Sequence, residues 1–218
     1  MKRKEIVFFE LLEREHGRIV RDGLFDEAAY QSAAFKVAFV VNQPNPENLA
    51  DLRSAITNGE IGHPYDTLAH FANAVRLWPN HVARFSNENI KANERVEAFQ
   101  GIALINFNKS AGYRTREIKL DVLMGDPFSE MLVVQMKLYE PKLIACFGVE
   151  PYNVLISGLG PCEWRDPIEE GNQRQYISMM TSSGQVIVNF GYFRERDNRL
   201  GLMYEDFVRL LGWCGNQK

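Results

Sequence analysis

Lys36 to Asn48, K-V-A-F-V-V-N-Q-P-N-P-E-N, decides how this chain is read. Val37 to Val41 is an unbroken apolar run, which predicts a central strand covered on both faces. Pro44 and Pro46 have no N–H for a ladder, so the strand must stop before them. The residues at the break, Asn42, Gln43 and Asn45, carry carboxamides that donate and accept hydrogen bonds at once. In open α/β sheets ligands bind beyond the carboxyl ends of the strands. This amide cluster is therefore the first candidate site; the alternative is that the amides only satisfy turn backbone.

Three more apolar runs read as buried strands: Gly101 to Phe107, Lys142 to Phe147 and Gln185 to Phe190. Helical patterns lie between them, at Glu47 to Ile56, Thr67 to Trp78, Asn87 to Phe99, Glu117 to Tyr139 (two pieces divided at Gly125-Asp126-Pro127) and Val149 to Ile156, and Met203 to Leu211 closes the chain. Asn87 to Phe99 is mostly polar and predicts a surface helix; Gly160 to Gly171 predicts irregular chain. The alternation predicts an α/β fold of three layers, α/β/α, around a central four-stranded parallel sheet with right-handed crossovers. Residues 1–218 read as one domain, with 1–35 as a helical lead-in whose Ile6, Phe9 and Leu12 pack on it.

At 218 residues the chain is long enough for a real core. Its net charge of −3 gives no global basic field, so any nucleic-acid binding must rest on a local patch. Cys146, Cys162 and Cys214 form no metal or cluster framework, and an unpatterned odd set suits a reducing cytoplasm. Cys146 lies in an apolar run and reads as a buried thiol. The four histidines lack ligand spacing. No run approaches the roughly 18 apolar residues of a membrane span. Glu5 and Glu10 interrupt the N-terminal apolar stretch, which argues against a signal peptide. The expectation is a cytoplasmic protein with no cofactor and no membrane partner, and a monomer.

By the carboxyl-end rule one crevice gathers three tips: Asn42-Gln43-Pro44-Asn45, Asn106-Phe107-Asn108-Lys109 and Tyr192-Phe193-Arg194. Amides read a nucleobase edge, aromatics stack on its face and cations hold phosphates, so the three tips read as a base-recognition pocket. Lys109, Ser110, Arg114 and Arg194 are the candidate phosphate contacts, with a solvated loop as the alternative. Phe107 and Tyr65 are the candidate stacking faces, with a core position as the alternative for Phe107, which continues a buried strand.

In this order and spacing the chain resembles the uracil-DNA glycosylase superfamily. V-N-Q-P-N at 41–45 stands where that superfamily has G-x-[DNA]-P-[GY]; I-N-F-N-K at 105–109 stands where a strand ends in its base-reading Asn. P-K-L-I-A-C-F-G at 141–148 matches a proline-led strand, and G-Y-F-R at 191–194 takes the place of H-P-S. The leading Gly is replaced by Val41, the water-handling Asp or Asn by Gln43, and the Tyr that blocks 5-substituted pyrimidines by Asn45.

The resemblance implies a monofunctional DNA glycosylase acting on double-stranded DNA with the base flipped into the pocket. It implies that Asn106 stabilises charge on the leaving base, that Asn42 and Gln43 orient water, and that Pro44, Asn45, Asn106, Phe107, Tyr65 and Tyr192 surround the base. Asp51 reads as a helix-surface residue, with stabilisation of the sugar cation as its alternative. Asn45 leaves room for a bulky base, such as glucosylated hydroxymethylcytosine of phage DNA, removed in antiviral defence. The alternatives are a non-catalytic nucleic-acid-binding module on the same fold, or ordinary uracil repair.

Overall fold

Four apolar runs form the middle of the sheet because each can be covered on both faces. They are β2 (Val37–Val41), β3 (Ile102–Asn106), β4 (Leu143–Phe147) and β7 (Val186–Asn189). In this computed structural model, residues 2–43, 45, 47–62, 64–80, 85–86, 90–109, 126–165, 178–191 and 200–216 are described. The four strands are parallel, with Val37 in register with both Ile102 and Leu143, and Leu143 with Val186.

Among the described residues the sheet has seven strands, three antiparallel ones added to the four parallel ones expected. β1 (Gly23–Leu24) pairs antiparallel with β3 at one edge, and β5 (Cys162–Arg165) and β6 (Ser178–Thr181) extend the other edge antiparallel, in the order β1-β3-β2-β4-β7-β6-β5. Part of the segment expected to be irregular, Cys162–Arg165, is thus an edge strand. Its four residues, C-E-W-R, alternate but are too few to announce a strand between Pro161 and Pro167, and antiparallel pairing with β6 supplies the ladder.

Helices cover both faces. α3 (Leu52–Thr57), α4 (Tyr65–Leu77), α5 (Ala92–Phe99) and α8 (Leu200–Asn216) share one core with Val37, Phe39 and Val41. α2 (Glu27–Ser32), α6 (Pro127–Tyr139) and α7 (Val149–Gly158) share the other with Ala38 and Val40. The alternation follows from the two-residue period of a strand. Phe39, Phe71, Phe147 and Phe207 pack edge-on or tilted at centroid distances of 5.3–5.8 Å, which joins β2, β4, α4 and α8. Full burial of each such ring stabilises the fold by about 2–3 kcal/mol.

Two helices depart from the expectation. α3 begins only at Leu52, because the Asp51 carboxylate caps the N–H groups of Arg53 and Ser54 and so fixes the start there. α5 exposes Asn93, Glu94 and Glu97 but has an inward face that its polar sequence hides: Ala98 and Phe99 are buried, and so is Arg95, which ion-pairs with Asp66 of α4 at 2.5 Å. In α1 (Lys2–His16) the inward face carries Glu5, Phe9 and Leu12, while Ile6 is exposed. Glu5 is drawn inside because it has polar partners there. Cys146 is fully buried, and burial pushes its thiol up. No helix among the described residues is long and apolar enough to cross a membrane.

Candidate amide site at the carboxyl end of the sheet

β2 and β3 are adjacent and parallel, so their carboxyl ends emerge side by side. Phe107 N–H donates to Val41 O at 2.7 Å and carries the ladder one residue past β3. Asn106 is thereby held at the mouth of the loop that leaves β2. Its carboxamide pairs with the peptide groups of Gln43 at both ends: Gln43 N–H donates to Oδ1 at 3.0 Å, and Nδ2 donates to Gln43 O at 2.9 Å. The second Nδ2 hydrogen goes to Asn45 Oδ1 at 2.9 Å, and Asn45 Nδ2 donates to Asn108 O at 2.6 Å. Both Asn106 donors are occupied, and the residue is fully buried.

The structure thus brings Asn42, Gln43, Asn45 and Asn106 together, with Asn42 and Asn45 buried and Gln43 half-buried. Tyr65, the first residue of α4, is buried on the α3/α4 side of the sheet. Burial raises its phenol, and the nearby Asp22 carboxylate raises it further.

Two expectations need correction. Phe107 is buried in the core against α6 and α7, so it offers no open face on which a base could stack. Lys109 is not a surface cation. Its ammonium is fully buried and ion-pairs with Asp22, also fully buried. Burial pulls the ammonium pKa down, and the Asp22 carboxylate opposes that shift. A phosphate could reach Lys109 only by taking it from Asp22. Pro44, Ser110, Arg114, Tyr192 and Arg194 lie outside the described residues.

Asp22 is the residue sequence reasoning missed. Besides Lys109 it accepts Asn106 N–H at 2.7 Å and Gln135 Nε2 at 2.9 Å. A carboxylate holding three N–H donors is an orienting anion, with no lone pair turned to solvent for proton transfer. The network continues to Tyr139, whose hydroxyl lies 3.5 Å from Gln135 Nε2 and donates to Glu5 Oε1 at 2.6 Å. Glu5 also accepts Leu24 N–H and pairs with Arg53, which pairs with Asp51. Asp51 is therefore a helix cap and an ion-pair partner. Gln135 carried a usable signal: it lies on the buried stripe of α6 between Met131 and Tyr139. Asp22 carried little, since Asp before Gly reads as a turn.

No protein-family model and no curated protein matches this chain.

Proposed function

We propose that this chain is a DNA glycosylase of the uracil-DNA glycosylase type, hydrolysing the N-glycosidic bond of a flipped-out, bulky modified pyrimidine to leave an abasic site. The parallel centre of the sheet, with its amides at the carboxyl end, supports this reading. The observation that carries it is the pairing of Asn106 with Gln43. The Gln43 peptide presents an N–H beside a C=O, which is the type of edge a pyrimidine also presents. An entering base edge can take the place of that peptide and leave no Asn106 hydrogen unpaired; the cost of the exchange is the release of the Gln43 N–H and C=O from Asn106.

In this mechanism Asn106 donates to the base as negative charge develops on it; loss of one such donor costs about 10²–10³ in rate. Asn42 and Gln43 orient a water against the anomeric carbon, since an amide cannot accept a proton as a carboxylate does. Asp22 fixes the Asn106 backbone from behind. The bulky base, with phage glucosylated hydroxymethylcytosine as the first candidate, would make the activity a defence against phage DNA.

A second reading is a nucleic-acid-binding module without catalysis. It is favoured by one observation: the Asn106 donors are already satisfied inside the chain.

Incubation with unmodified, uracil-containing and glucosylated-hydroxymethylcytosine DNA, followed by alkaline cleavage, separates the readings. Strand breaks in the modified DNA alone, lost in Asn106→Ala and reduced in Gln43→Ala, are expected. Breaks in the uracil DNA would point to ordinary repair. Binding to DNA without breaks in any substrate would replace catalysis by the binding module.

A further inference from the structure

The amino ends of the central strands lie at the opposite end of the sheet from the amide cluster. Lys36 precedes β2, Lys142 precedes β4 and Gln185 precedes β7. The three are direct neighbours: Lys142 N–H donates to Lys36 O, and Val186 N–H to Lys142 O, each at 2.8 Å. Val37 and Leu143 face the α4/α8 core, so by the strand period Lys36 and Lys142 both start on the α6 face. There they line a cavity of about 720 Å³ with Lys137, from the last turn of α6, and Glu140. Three lysines and one glutamate thus line one cavity, in a chain whose net charge is −3.

Lys36 is held in place. Its ammonium donates to Gln31 Oε1 at 2.8 Å and lies 5.7 Å from the centroid of the Tyr30 ring. Lys137 and Lys142 have no carboxylate partner among the described residues. Like charges on paired neighbouring strands repel, and an anion bound between them removes that repulsion.

A second cavity of about 240 Å³ continues over the strand ends onto the other face and shares Ala34, Phe35 and Lys142 with the first. Its wall is aromatic: Phe35 and Trp78 lie 6.1 Å apart, centroid to centroid. A cationic hollow joined to an aromatic one selects a ligand with an anionic end and a flat ring end. The combined size falls in the range of roughly 300–1,000 Å³ usual for small-molecule sites.

We propose that this saddle over the amino ends of β2, β4 and β7 binds a nucleoside phosphate, with its phosphate on Lys36, Lys137 and Lys142 and its base against Phe35 and Trp78. Ammonium groups bind phosphate as point charges, and aromatic rings stack with any base. The site is independent of the glycosylase reading and stands or falls separately.

Calorimetric titration of the full chain with ADP, adenosine and inorganic phosphate tests it. ADP should bind saturably at one site and more tightly than phosphate or adenosine alone. Lys142→Glu and Lys137→Glu, both at exposed positions, should each weaken ADP by about tenfold, the loss expected for one charged contact to phosphate. Phe35→Ala should bring ADP down towards phosphate and leave phosphate itself unchanged. Circular dichroism melting of each variant separates lost binding from lost fold. The proposal is overturned by the absence of saturable ADP binding, by ADP binding that neither lysine variant weakens, or by phosphate binding as tightly as ADP.

Discussion

The Asn106 carboxamide grips the Gln43 peptide by both its N–H and its C=O, at 3.0 and 2.9 Å. This pair ties the loop after β2 to the tip of β3. Asn106→Ala takes away the partner of two Gln43 groups, its N–H and its C=O. The expected loss is about 2–4 kcal/mol in urea unfolding, because an orphaned buried group costs more than a made bond contributes. Gln43→Ala removes no atom that Asn106 holds, so it should change stability by less than about 0.5 kcal/mol.

Asp22→Ala should be among the most destabilising single changes in the chain. It strands the Lys109 ammonium in the interior and leaves Asn106 N–H and one Gln135 hydrogen unpaired. Removing one member of a buried ion pair costs about 3–5 kcal/mol. The double variant Asp22→Asn with Lys109→Met should lose less than the sum of the two single changes. Unfolding midpoints of the four proteins, arranged as a cycle, measure the coupling; a coupling near zero would remove the pair from any account of the β3 tip.

Gly23 is required by both its backbone and its surroundings. Its φ is 109°, and an added Cβ would collide with the Tyr139 hydroxyl and Glu5 Oε1, the two atoms of a buried hydrogen bond. Gly23→Ala should therefore cost about 2–4 kcal/mol, from backbone strain together with a displaced polar contact. Thermal melting reads it directly, and a loss below about 1 kcal/mol would mean that Glu5 and Tyr139 can part freely.

The middle of the sheet was legible because each central strand is a continuous apolar run that no exposed strand could afford. Gly23–Leu24 was not, since two residues have no period; only the β3 edge makes them a strand. β5 and β6 were hidden for a related reason: four residues each are too short a pattern, and only antiparallel pairing makes them strands. The amides were found because strand-breaking prolines mark the end of β2. Lys109 was misread because it stands in a polar run, where charge usually means solvent; its burial depends on Asp22, 87 residues earlier. Glu5 likewise looked like an interruption of an apolar helix and is part of what that helix buries.

Asp51 gives the fold a sensitivity to acid. Burial pulls its carboxyl up, but the Arg53 guanidinium and the capped N–H groups of Arg53 and Ser54 outweigh burial and hold it below its ordinary value. A carboxyl lowered in the folded state stabilises fully above its unfolded pKa and loses that contribution as pH falls through the folded one. The Glu13–Arg21 pair, at 2.6 Å, acts in the same direction, though about one-third exposure makes it worth less. Asp51→Asn keeps a capping oxygen and should remove only the acid-dependent part. Asp51→Ala should cost about 1 kcal/mol more at neutral pH. Unfolding free energy measured from neutrality to below the ordinary aspartate value checks both; an unchanged acid profile in Asp51→Asn would contradict the assignment.

Asn45 decides whether the loop after β2 restrains the proposed glycosylase. It takes the second Asn106 hydrogen and ties itself to Asn108 O, so it holds the loop in the position where the Gln43 peptide occupies Asn106. A base that exchanges with that peptide must first release these contacts. Asn45→Ala removes them beforehand, and a net hydrogen bond is worth about 0.5–1.5 kcal/mol. The expected result on modified-base DNA is a rise in kcat/KM of about twofold to tenfold, together with a lower melting temperature. If Asn45 instead touches the base directly, kcat/KM falls in the same variant. Opposite signs on one measured ratio therefore distinguish a restraint on the loop from a wall of the pocket.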